Sequence, residues 1–387
     1  MARALVIRDA RILTAAERDY ERGSILVEGG KVAAIGEQVE APADAEVIDG
    51  SGKIVAPGLI DAHTHLGISE EGIGWEGRDT NELTDPVTPH LRAADAINPE
   101  EMGIREAAAG GVTTAVVLPG SGNVIGGLGI ALKTYGLVVD RMALRNPCGL
   151  KVAFGENPKR VYGDQKKMPS TRMGTAALLR EALVRSQNYL RKLELAKDDP
   201  DKAPDRDLRL EAVALVLRRE IPLLAHCHRA DDLLTALRIA EEFQVDIVLQ
   251  HATEAHRILD VLVERKIPCV VGPTFGTRGK VETKEKTFAT PGILARAGVP
   301  VAICSDHGVT PSSYLRLYAA LAVSEGMSEH DALRAMTIWP AQITGIAHRV
   351  GSLEPGKDAD LALYSSDPLE LNARPELVLI DGQRIPA

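Results

Sequence analysis

Between residues 57 and 345, short β-branched or apolar runs alternate with longer stretches of helical period, and no other feature restricts the fold as much. The runs are Leu59-Ile-Asp-Ala, Thr113-Thr-Ala-Val-Val-Leu, Leu150-Lys-Val-Ala-Phe, Pro222-Leu-Leu-Ala-His, Asp246-Ile-Val-Leu-Gln-His, Pro268-Cys-Val-Val-Gly and Val299-Pro-Val-Ala-Ile-Cys-Ser-Asp. Helical candidates between them are Pro99 to Ala109, Thr175 to Ala196, Asp231 to Phe243 and Glu254 to Lys266. Parallel strands need a crossover connection, usually a helix, so the pattern predicts an α/β fold built from parallel βα units. Seven runs are visible, one short of a (β/α)8 TIM barrel, and by count the eighth is expected near Gly126 to Val139.

Both chain ends have a different texture. Ala4 to Arg8, Gly23 to Glu28, Lys31 to Ile35 and Ala45 to Asp49 are short β-branched runs, with Gly29-Gly30 and Asp49-Gly50 as hairpin signals. Asp360 to Tyr364 and Glu376 to Ile380 repeat the texture at the other end. Neither piece alone makes a sheet with a buried face, so residues 1–56 and 346–387 are expected to share one small β-sandwich domain beside a barrel of residues 57–345. The charged, proline-broken segment 198–207 reads as a surface loop, and so does the glycine-rich stretch Pro119 to Gly129, which matches no phosphate-loop spacing.

Composition narrows the function. A net charge of −9 repels phosphate backbones and 3% aromatic content offers no stacking platform, so a nucleic-acid partner is not expected. No apolar run approaches the ~18 residues of a membrane helix, and the first residues lack an apolar export segment. Cys148, Cys227, Cys269 and Cys304 form no CxxC pair and sit in apolar runs, as buried thiols of a reduced, cytoplasmic protein would.

The chemistry concentrates at strand ends. In Pro57-Gly-Leu-Ile-Asp-Ala-His63-Thr64-His65, two histidines at i and i+2 share a strand face and can reach one metal ion. His226, His251 and Asp306 end three further runs, and the C-terminal strand ends are where a barrel builds its active site. Imidazole and carboxylate donors together suit zinc, with manganese or iron as alternatives. His228 lies two residues beyond His226 and shares its face, whereas His307, next to Asp306, is expected to point away.

These marks, with the tail Gly351-Ser-Leu-Glu-Pro-Gly-Lys-Asp-Ala-Asp-Leu, resemble the amidohydrolase superfamily over essentially the whole chain, within it most closely the imidazolonepropionase-like and prolidase-like branch. The resemblance implies that His63, His65 and Asp306 hold one divalent ion. It further implies that His226 and His251 hold a second, or that His226 completes a mononuclear site. Lys151 stands where binuclear members carry a carbamylated lysine bridging two ions, and Glu156 is the competing bridge. A bound divalent ion lowers the pKa of its water toward about 7, and Asp306 can take that proton and pass it to a leaving nitrogen. His251 or His228 would face the substrate carbonyl.

The expected activity is therefore metal-dependent hydrolysis of an amide, cyclic amide or dipeptide-like C–N bond in a small molecule. Deamination is the alternative, with Glu254 as proton donor, and a non-catalytic scaffold a more distant one. Arg160, Arg172 and Arg278 follow barrel strands and are candidates to grip a substrate carboxylate. The resemblance also implies a homo-oligomer.

Overall fold

A computed structural model describes residues 3–197 and 199–386. Met1, Ala2 and Asp198, the first residue of the expected 198–207 loop, lie outside the described residues. Five strands open the chain: β1 (Leu5–Ile12), β2 (Tyr20–Glu28), β3 (Lys31–Gly36), β4 (Glu46–Asp49) and β5 (Ile54–Pro57). Eight follow in the central region: β6 (Leu59–Thr64), β7 (Val112–Val117), β8 (Ile125–Lys133), β9 (Ala143–Ala153), β10 (Leu223–Cys227), β11 (Ile247–His251), β12 (Cys269–Val271) and β13 (Val301–Ile303). Three close the chain: β14 (Leu361–Tyr364), β15 (Pro375–Ile380) and β16 (Gln383–Arg384).

The two chain ends do share one sheet, in the order β16-β15-β14-β5-β1-β2-β3, with β4 also paired to β1. The seam is the antiparallel pair β5–β14, in which Val55 faces Leu363 and Pro57 faces Leu361. Ile7, Ile25, Val32, Val55 and Leu361 are fully buried in the core beneath this sheet. A second apolar cluster, including Tyr364, Val378 and Ile380, meets Ala108 and Leu333 of the neighbouring helices.

The central sheet runs in order from β6 to β13. It closes into a barrel through the chain just beyond β13: Asp306 N donates to His63 O (3.0 Å) and His65 N to His307 O (3.1 Å). Ile60, Ala62, Val116, Leu118, Leu224, Val248, Val270 and Ala302 fill the interior, and Ala341, Ile346 and Val350 cap it below. The expected helices are present, with the longest at Arg172–Leu195 and another at Ala230–Phe243. Among the described residues no helix is long and apolar enough to cross a membrane.

The eighth strand lies where the count puts it, yet β8 runs antiparallel to both β7 and β9. Its glycines disguise it as a loop. Gly127 has φ 132°, and a Cβ there would sit 2.5 Å from Leu91 O, because the chain around Leu91 hydrogen-bonds directly to β8 through Leu128 N (2.7 Å). Gly129 is pressed against Leu118 in the same way. The strand keeps glycine where neighbouring chain approaches too closely for a side chain, so only the first part of the stretch Pro119 to Gly129 is loop.

Candidate metal centre and active site

His63 needs help to face the barrel interior. Ile60 and Ala62 already point inward, so strict alternation would send His63 outward. A register shift in the β6–β7 pairing between Asp61 and Thr64 turns it in. Asp61, left on the outer side, accepts from Ser305 N (3.1 Å), Ser305 Oγ and Ser312 Oγ (2.8 Å), tying β6 to the end of β13. Burial pushes its carboxyl up to about 6, against those hydrogen bonds.

His63, His65 and His251 are each oriented through Nδ1. His65 Nδ1 donates to Leu118 O (2.7 Å) and His251 Nδ1 to Gly272 O (2.7 Å), and a carbonyl can only accept, so the proton sits on Nδ1 in both rings. His63 Nδ1 likewise meets Gln250 Oε1 (2.8 Å). This is the pattern by which metal-ligating histidines are held. Burial, then the neighbouring positive groups, depresses His63 well below the ordinary histidine value, and burial brings His251 to about 4. The His63 and His251 rings are therefore neutral at physiological pH, with lone pairs on Nε2.

Those lone pairs face a carboxylate. Asp306 Oδ1 lies 3.2 Å from His65 Nε2 and 3.5 Å from His63 Nε2. Burial works to raise the Asp306 carboxyl, and the surrounding His65, His251 and His63 rings outweigh it and hold it well below the usual range. Ligand atoms of His63, His251 and Asp306 lie within 4.8 Å of one another. Imidazole nitrogens and a carboxylate oxygen that converge on one point are groups a divalent cation can gather. The donor set fits a divalent metal. His251 and Asp306 also carry left-handed backbone, with φ 68° and 55°, an uncommon conformation for residues with side chains and one that clusters at functional sites.

Lys151, on β9, is fully buried with Nζ 3.1 Å from His63 Nε2, and burial lowers it to about 8. Glu156 differs: it opens the helix Glu156–Asp164, is partly exposed, and belongs to neither metal-competent cluster among the described residues. Its backbone N donates instead to Glu282 Oε2 (2.8 Å). His226, His228 and His251 make a second cluster with ligand atoms within 4.8 Å. His228 Nδ1 bonds with Thr253 Oγ1 (2.8 Å), while His226 Nδ1 has no hydrogen-bond partner.

The three arginines diverge. Arg172 is committed to Asp232 (3.0 and 3.2 Å), Arg278 is exposed and donates to Lys286 O (3.0 Å), and Arg160 is exposed. Glu254 accepts from Ala230 N (2.9 Å) and Arg257 Nη1 (3.1 Å), and so supports a helix start. His307 points away from the metal-competent cluster, toward Glu71 and Gly103. Sequence reasoning missed Gln250, Asn157, Lys280 and Glu282. Gln250 was findable as the one polar residue inside Ile247-Val-Leu-Gln. Nothing local marks Glu282.

Comparison with known proteins bears on the family and the fold. The Amidohydrolase family profile matches residues 54–385. The amidohydrolase tasK of Hapsidospora irregularis is 32% identical over 93% of this chain, which spans 39% of that protein's length. A solved amidohydrolase from Thermotoga maritima MSB8 is 45% identical, with a TM-score of 0.96 over 98% of this chain and 99% of that one. A Xaa-Pro dipeptidase with bound methionine shares the fold at 17% identity, with a TM-score of 0.58 over 98% of this chain and 92% of that one.

Proposed function

From the premise that the chain belongs to the amidohydrolase family, to which residues 54–385 match, we propose that it is a metal-dependent hydrolase of a C–N bond in a small substrate, with Asp306 as general base. The observation that carries this reading is the convergence of the His63, His65 and His251 ring nitrogens on the Asp306 carboxylate. His63, His65 and Asp306 would hold one divalent cation, and His226 with His251 a second. Zinc suits these nitrogen and carboxylate donors, with manganese or iron as alternatives. When bound, such a cation supplies Lewis-acid chemistry, acidifying water and polarising a carbonyl.

The chain's own groups supply the rest. Asp306, held ionised, takes a proton from the attacking water at a carboxylate oxygen and returns it to the leaving nitrogen. His251, fixed through Gly272 O, keeps Nε2 free as the ring nitrogen that would hold the second cation. Lys151 is a buried amine with Asp306 as its nearby counter-charge, and carbamylation by CO2 would make it an anionic ligand shared by both cations. Arg160 and Arg278 keep exposed guanidinium groups for a substrate carboxylate, so amides, cyclic amides and dipeptide-like bonds with a nearby carboxylate head the candidate substrates.

Metal content per chain, measured by elemental mass spectrometry on protein purified without chelator, tests the reading, with one or two ions expected. No ion after incubation with zinc or manganese would overturn it and favour a scaffold. Asp306→Asn should lower kcat/KM on a responsive amide by about 10²- to 10⁴-fold with the fold intact. Unchanged turnover would remove Asp306 from the base role.

A further inference from the structure

We propose that Lys280, in the loop after β12, sets substrate specificity by holding a carboxylate of the substrate at the mouth, with Asn157 as the residue that positions its ammonium group. The proposal rests on the metal-dependent reading above and adds to Arg160 and Arg278 a cation that stands two contacts from the histidine cluster. Lys280 Nζ donates to Asn157 Oδ1 (2.7 Å), and Asn157 Nδ2 lies 3.5 Å from His226 Nε2. A lysine can only donate, so the Asn157 atom that meets it is the amide oxygen. Asn157 Nδ2 then donates to Ser121 Oγ (2.8 Å), in the glycine-rich stretch after β7. Asn157 is 9% exposed, whereas the Lys280 side chain keeps 33% of its surface open.

The loop is fastened without this ammonium group. Glu282 Oε2 accepts from Glu156 N (2.8 Å), and Thr283 N and Oγ1 both donate to Lys280 O (3.1 and 3.0 Å). Those bonds fix where the Lys280 side chain starts and leave Nζ free of a structural duty. Glu282 does not claim it either: Oε1 is 3.8 Å from Nζ, beyond hydrogen-bond reach. The same oxygen lies 3.9 Å from His228 Nε2, so a second short path joins Lys280 to the histidine cluster. An ammonium group carries three N–H donors, of which Asn157 takes one, and two remain for a ligand. Arg278 and Arg160 show no comparable link: the first donates to Lys286 O and both are exposed.

A compact positive charge with two unused donors favours an anion, and a carboxylate gains charge-assisted hydrogen bonds from it. The Ser121 hydroxyl, which accepts from Asn157, keeps its own O–H to donate beside it. The short path from Nζ to His226 keeps that carboxylate close to the bond being cut. N-acyl amino acids and dipeptide-like amides have this form, with one carbon between the amide nitrogen and the carboxylate.

The test is binding of N-acetylglycine, N-acetyl-L-alanine and N-acetyl-L-leucine, and of the carboxamide of each, to zinc-incubated full-length protein by saturation-transfer NMR titration. Metal content and thermal melting are read on the same samples. Wild type should bind at least one acid about tenfold more tightly than its carboxamide. Lys280→Met should abolish that preference by weakening the acid alone, at unchanged metal content and melting, and Lys280→Arg should restore part of it. Asn157→Ala should narrow it. A wild type with no preference for any acid would overturn the proposal, and so would a Lys280→Met chain that keeps the preference. Equal weakening of acid and carboxamide would mark a structural role and overturn it as well, as would a preference lost in Arg160→Ala or Arg278→Ala and kept in Lys280→Met. In each of these cases the metal-dependent reading stands while ions are bound; no ion in wild type would overturn both.

Discussion

Two lysines on adjacent strands, Lys133 on β8 and Lys151 on β9, are each 1% exposed, and they behave in opposite ways. Lys133 lies where the barrel meets the sheet of chain ends, with Asp360 at 2.6 Å, Asp358 at 3.0 Å and Asp381 at 3.1 Å. Burial works to lower it, and the three carboxylates outweigh burial and hold it above the ordinary lysine value. Lys151 lies at the mouth with a histidine nitrogen as its nearest polar neighbour, makes no ion pair within 4.0 Å among the described residues, and falls to about 8. Burial is the same in both places; the neighbours differ. One lysine staples two parts of the molecule together, whereas the other is a buried amine with no ion pair within 4.0 Å among the described residues and only the more distant Asp306 as counter-charge.

Lys133→Met would sharpen this contrast most. It leaves the buried Asp360 carboxylate without its cation, while Asp358 keeps Lys31 and Arg349, and should destabilise the protein by about 3–5 kcal/mol in urea denaturation at unchanged m. Lys151→Met in chelator-stripped protein should be near neutral or stabilising, because it removes an unpaired buried charge. Equal losses from the two substitutions would break the comparison.

The pH dependence should also divide. Lys151 titrates at about 8 folded and 10.5 unfolded, so between those values the unfolded chain binds more protons and this group's contribution to stability rises with pH. Lys133 is raised above 10.5, so its contribution is complete below that value and is lost as pH climbs through the folded one. Denaturation midpoints of stripped wild type and of each Met variant across the alkaline range read both slopes.

A smaller effect is expected on the strand that carries Lys133. Gly127→Ala puts a Cβ 2.5 Å from Leu91 O at φ 132° and should cost about 1–3 kcal/mol by the same denaturation measurement. Of similar size is Arg172→Ala, which takes its partner from the buried Asp232 carboxylate and should cost about 1–3 kcal/mol with KM unchanged. A KM raised tenfold would return Arg172 to the substrate.

The candidate site was largely legible because its histidines close strand-like runs: His63, His226 and His251 are the polar ends of apolar segments, and such ends gather at one mouth of a barrel. What resisted reading was non-local. Antiparallel β8 looked like a loop, since its glycines answer to Leu91 and Leu118 rather than to any periodicity of their own. The inward turn of His63 depends on a register shift against β7. Glu282 meets its partners 126 residues away at Glu156 and across the mouth at His228.

By itself the sequence determined the barrel class, the joining of the chain ends and the residue types at the mouth, because hydrophobic period and strand-end chemistry are local properties. Only the tertiary structure decided the direction of β8, the setting that separates Lys151 from Lys133, and the carboxylate that stands beside the second histidine cluster. Those depend on long-range register and on which charges burial brings together, and neither is encoded in the spacing of nearby residues.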